Sequence, residues 1–144
     1  VDIYSRFLFE QKVVAAQADH ALDVDELKET MLWAQEQSYG DGLDPEYRHP
    51  YMWACKSHYY SSGYNFYNFP YAFGELFAKG VFAQYLQKGA AFVPDYCRLL
   101  RSCGSGTIAN VAASVGIDVR NPDFWRSSLE VVKGNIDKFC ELVK

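Results

Sequence analysis

Apolar positions along this chain recur with the three-to-four-residue period of helices, and no stretch sustains the two-residue alternation of a strand. Ile3, Phe7, Val14 and Ala18, with Val13 beside them, set one apolar face and predict a helix over residues 2–19. Asp23 is placed to cap a second helix, with Glu26 three positions on as its reciprocal partner. Leu27, Met31 and Ala34 line that helix inside, and Gly40 ends it. Gly40-Asp41-Gly42-Leu43-Asp44-Pro45 is turn chemistry, and Pro50 keeps His49 out of the helical region. Residues 51–60 read as a short helix or an irregular segment, and Ser61-Ser62-Gly63 breaks the chain.

A long helix is expected over residues 64–87, with Gly89 past its end. Pro70 then lies inside it and predicts a kink near Phe66. Further helices are expected over residues 91–102 and from the Thr107 cap to Gly116. The last starts at Asn121-Pro122, an N-cap followed by proline at the first helical position. It carries Phe124, Leu129, Val132, Ile136, Phe139 and Val143. The pattern predicts an all-α fold, an irregular helical bundle in one domain over residues 1–144.

Composition sharpens this picture at a few points. The chain has 144 residues, 22% of them charged, and a net charge of −4. Those values are globular and offer no basic footprint for nucleic acid. No apolar run approaches a membrane span, and no leader pattern is visible, which points to the cytoplasm. Val1 opens directly on a helical pattern, as expected of a start inside a larger protein. Cys55, Cys97, Cys103 and Cys140 show no C-x-x-C or histidine ligand spacing. In a cytoplasmic protein they read as reduced, mostly buried thiols.

The unusual stretch is Tyr51 to Phe73, where ten of 23 residues are aromatic and none is Leu, Ile or Val. A core alone favours aliphatics; tyrosine brings a hydroxyl that must find a partner when buried. Tyr64, Tyr67 and Tyr71 stand at i, i+3 and i+7, on one helical face. Phe66, Phe69 and Phe73 repeat that spacing on another, with Phe77 a turn further. Phenylalanines are therefore expected toward the core and tyrosines toward a cleft. His58 precedes Tyr64 by six residues, across the Ser-Ser-Gly break, where a loop can fold it over the tyrosines. A tyrosine stripe is more commonly half-buried packing, and a lone histidine a satisfied structural residue. No H-E-x-x-H, G-x-S-x-G, P-loop or dinucleotide-binding glycine pattern occurs, so no metal ligand set is assigned within the chain.

The segment Ser57-His58-Tyr59-Tyr60-Ser61-Ser62-Gly63-Tyr64-Asn65-Phe66-Tyr67-Asn68-Phe69-Pro70-Tyr71-Ala72-Phe73-Gly74 resembles the C-terminal signature of oligoendopeptidase F and its relatives in the thimet oligopeptidase family of zinc metallopeptidases. Ser5-Arg6-Phe7-Leu8-Phe9-Glu10, Val115-Gly116-Ile117-Asp118-Val119 and Asn121-Pro122 resemble that family as well. The resemblance implies a mostly helical peptidase that hydrolyses internal bonds of short peptides. It implies zinc in the full-length enzyme, held by ligands upstream of Val1. His58 and Tyr64 match residues that act on the transition state, and Tyr67 and Tyr71 match tyrosines of the substrate cleft. The partners it implies are short peptide substrates and the remaining N-terminal part of the polypeptide. That part is expected to dock on an apolar face including Phe7, Leu8 and Phe9, which is also open to self-association. The other readings are a stand-alone helical module that binds a peptide or protein, and a purely structural domain.

Overall fold

The computed structural model describes all residues, Val1–Lys144. Its helices are α1 (Asp2–Ala16), α2 (Val24–Tyr39), α3 (Phe69–Lys88), α4 (Val93–Arg101), α5 (Ile108–Ala113) and α6 (Pro122–Leu142), and it holds no strand. The fold is all-α, as the periodicity requires. None of these helices is long and apolar enough to cross a membrane. The chain divides into two compact units, Val1–Ala72 and Phe73–Lys144.

In the first unit α1 packs on α2 around Phe9, Met31 and Ala34, with Leu8, Val13, Leu27 and Trp33 against them. The α2 start follows the expected chemistry. Asp23 Oδ1 accepts from Glu26 N at 2.9 Å, and Glu26 Oε2 accepts from Asp23 N at 2.8 Å. Gly40 ends the helix at a φ of 56°, which glycine adopts without a Cβ penalty.

The inner face of α1 differs from the expected one. Ser5 and Phe9 are buried, whereas Val14 is exposed and Ile3 and Phe7 are half-buried. Ser5 is small and donates its hydroxyl to Asp2 O at 2.8 Å, so burial leaves no unmet donor. Its i+4 neighbour Phe9 thereby becomes the core contact. The run Phe7-Leu8-Phe9 is accordingly divided between a buried Phe9 and two half-buried neighbours.

After α2 the chain makes short 3₁₀ turns at Pro45–Tyr47, Met52–Cys55 and Ser57–Tyr60. Gln35, fully buried on α2, holds their entry. Its amide donates to His49 O at 2.9 Å and accepts from His49 N at 3.0 Å.

The second unit packs Val81, Phe92, Leu99, Ala112, Val115, Ile117 and Phe124 into one core. Thr107 caps α5 and Asn121 caps α6, as their residue types predict. Gly80 lies where α3 meets α6: a Cβ there would stand 2.5 Å from the Phe124 ring and 2.7 Å from Ser128 Oγ. Beyond Phe124 the apolar stripe of α6 is not covered. Leu129, Ile136, Phe139 and Val143 are all exposed. A cavity of about 820 Å³ opens among Phe77, Val81, Phe92, Leu99 and Ile108.

The cysteines depart from expectation. All four are free, with Cys55, Cys103 and Cys140 exposed and Cys97 half-buried. The three exposed ones sit in a 3₁₀ turn, in the turn after α4 and near the end of α6, and Cys97 lies on α4.

Candidate functional site: a histidine–tyrosine cluster

The aromatic segment does not form the helix expected from residue 64. α3 begins at Phe69, so Pro70 is its second residue and no interior kink arises. Proline in a first helical turn removes only an amide that would have had no partner there, whereas mid-helix it breaks a bond. Its ring also disfavours helical backbone in the residue before it. The expected kink position, Phe66, instead takes a φ of 54°, the left-handed region.

Before α3 the backbone descends through i→i+3 turns. Tyr64 N donates to Ser61 O at 3.0 Å, Tyr67 N to Tyr64 O at 3.0 Å, Phe69 N to Phe66 O at 3.4 Å and Tyr71 N to Asn68 O at 3.3 Å. With about three residues per turn, side chains at i and i+3 lie above one another. Tyr64 and Tyr67 therefore meet although their backbone is not α-helical, and Tyr71 joins them from the first turn of α3. Tyr64 and Tyr67 rings are 5.0 Å apart, and Tyr67 and Tyr71 rings 5.9 Å.

His58 closes the group from the Ser57–Tyr60 turn. Its ring stacks on Tyr67 at 5.7 Å and meets Tyr71 edge-on at 6.0 Å. Its Nε2 lies 3.4 Å from the Tyr71 hydroxyl. Tyr64, Tyr67 and Tyr71 are each 41–51% exposed, and the Tyr64 and Tyr67 hydroxyls bond to nothing in the chain. A packing stripe would bury these oxygens and pair them; here they face outward with free hydrogen-bonding capacity.

The phenylalanines are not one core face. Phe66 packs on Phe7 at 5.8 Å, Phe69 is exposed, and Phe73 stacks on Phe77 at 5.7 Å. The change of backbone at Phe69 separates Phe66 from the helical register of Phe73 and Phe77.

The segment is fixed from α1. Tyr59, beside His58, donates its hydroxyl to Arg6 O at 3.2 Å. Burial pushes its phenol well above the ordinary tyrosine range, and the Glu10 carboxylate acts in the same direction. Glu10 also receives Phe66 N at 2.5 Å and Asn68 Nδ2 at 2.7 Å. Nothing local in the sequence announces these contacts, because Glu10 and the residues it holds are far apart along the chain.

Comparison with known proteins can now be set beside this geometry. The chain is 26% identical over 105 residues to Oligopeptidase PepF of Bacillus subtilis (strain 168). It is similar to an oligopeptidase. The matched stretch takes in 73% of this chain but spans only 15% of the length of PepF. No family model matches the chain, and no solved structure does. PepF is a peptidase by name, and a peptidase relationship fits a cluster of outward-facing hydrogen-bonding side chains.

The family resemblance implies zinc. No three His, Cys, Asp or Glu side chains converge to hold a metal ion. The histidines His20, His49 and His58 are engaged separately, with Glu26, with the Tyr51 amide and with tyrosine rings. These residues do not fit a zinc site.

Proposed function

We propose that this chain is the substrate-side part of an oligoendopeptidase that hydrolyses internal bonds of short peptides. The observation that carries the reading is the His58–Tyr64–Tyr67–Tyr71 group, half-exposed, with its rings packed on one another and the Tyr64 and Tyr67 hydroxyls unpaired. Likeness to PepF supports the same class.

In this reading the four side chains divide the work by chemistry. A peptide carbonyl under attack gathers negative charge on its oxygen. Tyr64, a neutral donor whose hydroxyl is otherwise uncommitted, stabilises that charge without bringing a counter-ion that must be desolvated. His58, kept in plane by Tyr67, is a second donor to the same oxygen or to the adjoining amide. Tyr67 and Tyr71 hydrogen-bond peptide groups, which every substrate offers whatever its sequence. That suits broad specificity and short peptides.

The test is made on the longer polypeptide that joins this chain to a segment bearing H-E-x-x-H, with an internally quenched short peptide as substrate. Internal-bond cleavage that collapses in His58→Ala and Tyr64→Phe is expected. Full activity in both variants overturns the reading.

A further inference from the structure

The aromatic segment is hydrogen-bonded to α1 at two residues one turn apart. Arg6 O receives the Tyr59 hydroxyl, and the Glu10 carboxylate receives Phe66 N and Asn68 Nδ2. Residues i and i+4 share a helix face, so one face of α1 contacts the segment next to His58 and again on both sides of Tyr67.

Phe66 is the one non-glycine residue of the chain with a positive φ. A bulky side chain there is disfavoured, and such a backbone persists only where its surroundings over-determine it. The surroundings are the Phe7 ring and the Glu10 carboxylate on the Phe66 amide. Asn68 is only 5% exposed, and its Oδ1 has no partner. Its amide group is thus turned to serve Glu10 while its own carbonyl goes unmet. A carboxylate with one oxygen on each donor is the side chain that suits two N–H groups flanking a single residue.

We propose that Glu10 is the positioning residue of the aromatic cluster: by accepting from both neighbours of Tyr67, it holds the left-handed turn at Phe66 and sets the Tyr67 ring against His58. Both Glu10 carboxylate oxygens are taken by these donors, so its role is to position rather than to react. The functional half of this inference rests on the peptidase reading; the geometric half does not.

The geometric half is tested on the 144-residue chain by NMR of its histidine rings. A ring stacked on Tyr67 has its protons displaced upfield. In Glu10→Ala that displacement is lost at His58, while His49, held by Gln35, and the Met31 methyl in the core keep their shifts. Glu10→Gln retains an acceptor for the Phe66 amide and gives an intermediate His58 shift. Glu10→Ala combined with Phe66→Gly regains part of it, because glycine adopts positive φ without strain. A merely structural role predicts His49, His58 and Met31 moving together, with no rescue by glycine. Unchanged His58 shifts in folded Glu10→Ala overturn the proposal. Should that variant unfold, unchanged His58 shifts in Glu10→Gln do so.

In the longer polypeptide Glu10→Ala is expected to lower kcat on the order of 10²-fold through the displaced His58, the scale of a misplacement by about 1 Å, and to raise KM several-fold through the displaced Tyr67. Loss of the His58 shift without loss of turnover would leave Glu10 as the clamp and overturn the catalytic reading of the cluster.

Discussion

The His58 imidazole lies over the Tyr67 ring, with centroids 5.7 Å apart and planes inclined by 17°. A stacked ring can slide but not tilt, so Nε2 is confined to the arc that includes the Tyr71 hydroxyl, 3.4 Å away. That bond is long and half-exposed and contributes little to stability. Tyr71→Phe should therefore leave the stability unchanged, within about 0.5 kcal/mol. In the longer polypeptide it should raise KM several-fold at nearly constant kcat, because a group that holds peptide backbone acts equally on ground and transition states. Steady-state kinetics beside a thermal melt reads both, and a fall in kcat with KM unchanged would place Tyr71 among the transition-state donors instead.

Tyr64→Phe should behave in the opposite way. Its hydroxyl makes no bond within the chain and its ring remains to pack on Tyr67, so folding is unaffected. Turnover should fall about 10²–10³-fold with KM preserved, the usual scale for one donor to a developing oxyanion. Wild-type turnover would show that the donor role belongs to another residue.

The 144-residue chain should take up no stoichiometric zinc and cleave no peptide, since no convergent ligand group exists in it. Equilibrium dialysis with metal analysis, followed by overnight incubation with a fluorogenic peptide, checks this directly. One tightly held zinc per chain with measurable cleavage contradicts it.

Much of this architecture was legible because its signals are local. Asp23 with Glu26, Gly40, Thr107 and Asn121-Pro122 mark helix ends by chemistry complete within four residues. The tyrosine grouping is legible too, because a three-residue turn brings Tyr64 and Tyr67 together as a 3.6-residue helix would, and Tyr71 follows from the start of α3. What was not legible depends on distant partners. Pro70 permits either an interior kink or a helix start, and the structure places the start at Phe69. Phe66 can take a left-handed backbone because α1 supplies Glu10 and Phe7. The buried face of α1 departs from the apolar periodicity because a serine that satisfies its own hydroxyl can be buried in place of an aliphatic residue.

Alkaline pH should destabilise the fold through Tyr59. Its ring packs at 5.3 Å from Phe9, and burial raises its pKa in the folded state above that of an unfolded tyrosine. The folded chain therefore retains a proton that the unfolded chain releases. The stabilisation is complete below the ordinary tyrosine value of about 10 and is lost as pH rises past it, by up to about 1.4 kcal/mol per pH unit. Urea unfolding at about pH 9 and about pH 11 measures the difference. Tyr59→Phe, which has no proton to lose, should flatten it; an equally steep loss in that variant assigns the effect elsewhere.

Two glycines of α3 should respond to alanine with opposite signs. In helical backbone, Gly→Ala stabilises by about 1 kcal/mol when the methyl has room. At Gly74 nothing lies within 4 Å of a built Cβ, so Gly74→Ala should gain that amount. At Gly80 the same methyl would stand 2.5 Å from Phe124 Cζ and 2.7 Å from Ser128 Oγ. The Phe124 ring cannot retreat, since Phe77 lies at 5.6 Å and Trp125 at 5.0 Å. Ser128 is fully buried and bonded to Phe124 O. Against a ring that cannot retreat, overpacking lies toward the upper end of its usual range, about 2–3 kcal/mol, and exceeds the helical gain of about 1 kcal/mol, so Gly80→Ala should lower stability by roughly 1–2 kcal/mol net. Phe124→Leu removes the ring carbon that the methyl strikes. In a double-mutant cycle the two changes should cost less together than the sum of their separate effects. Strict additivity, or a stabilising Gly80→Ala, would mean that α3 and α6 do not approach through this glycine.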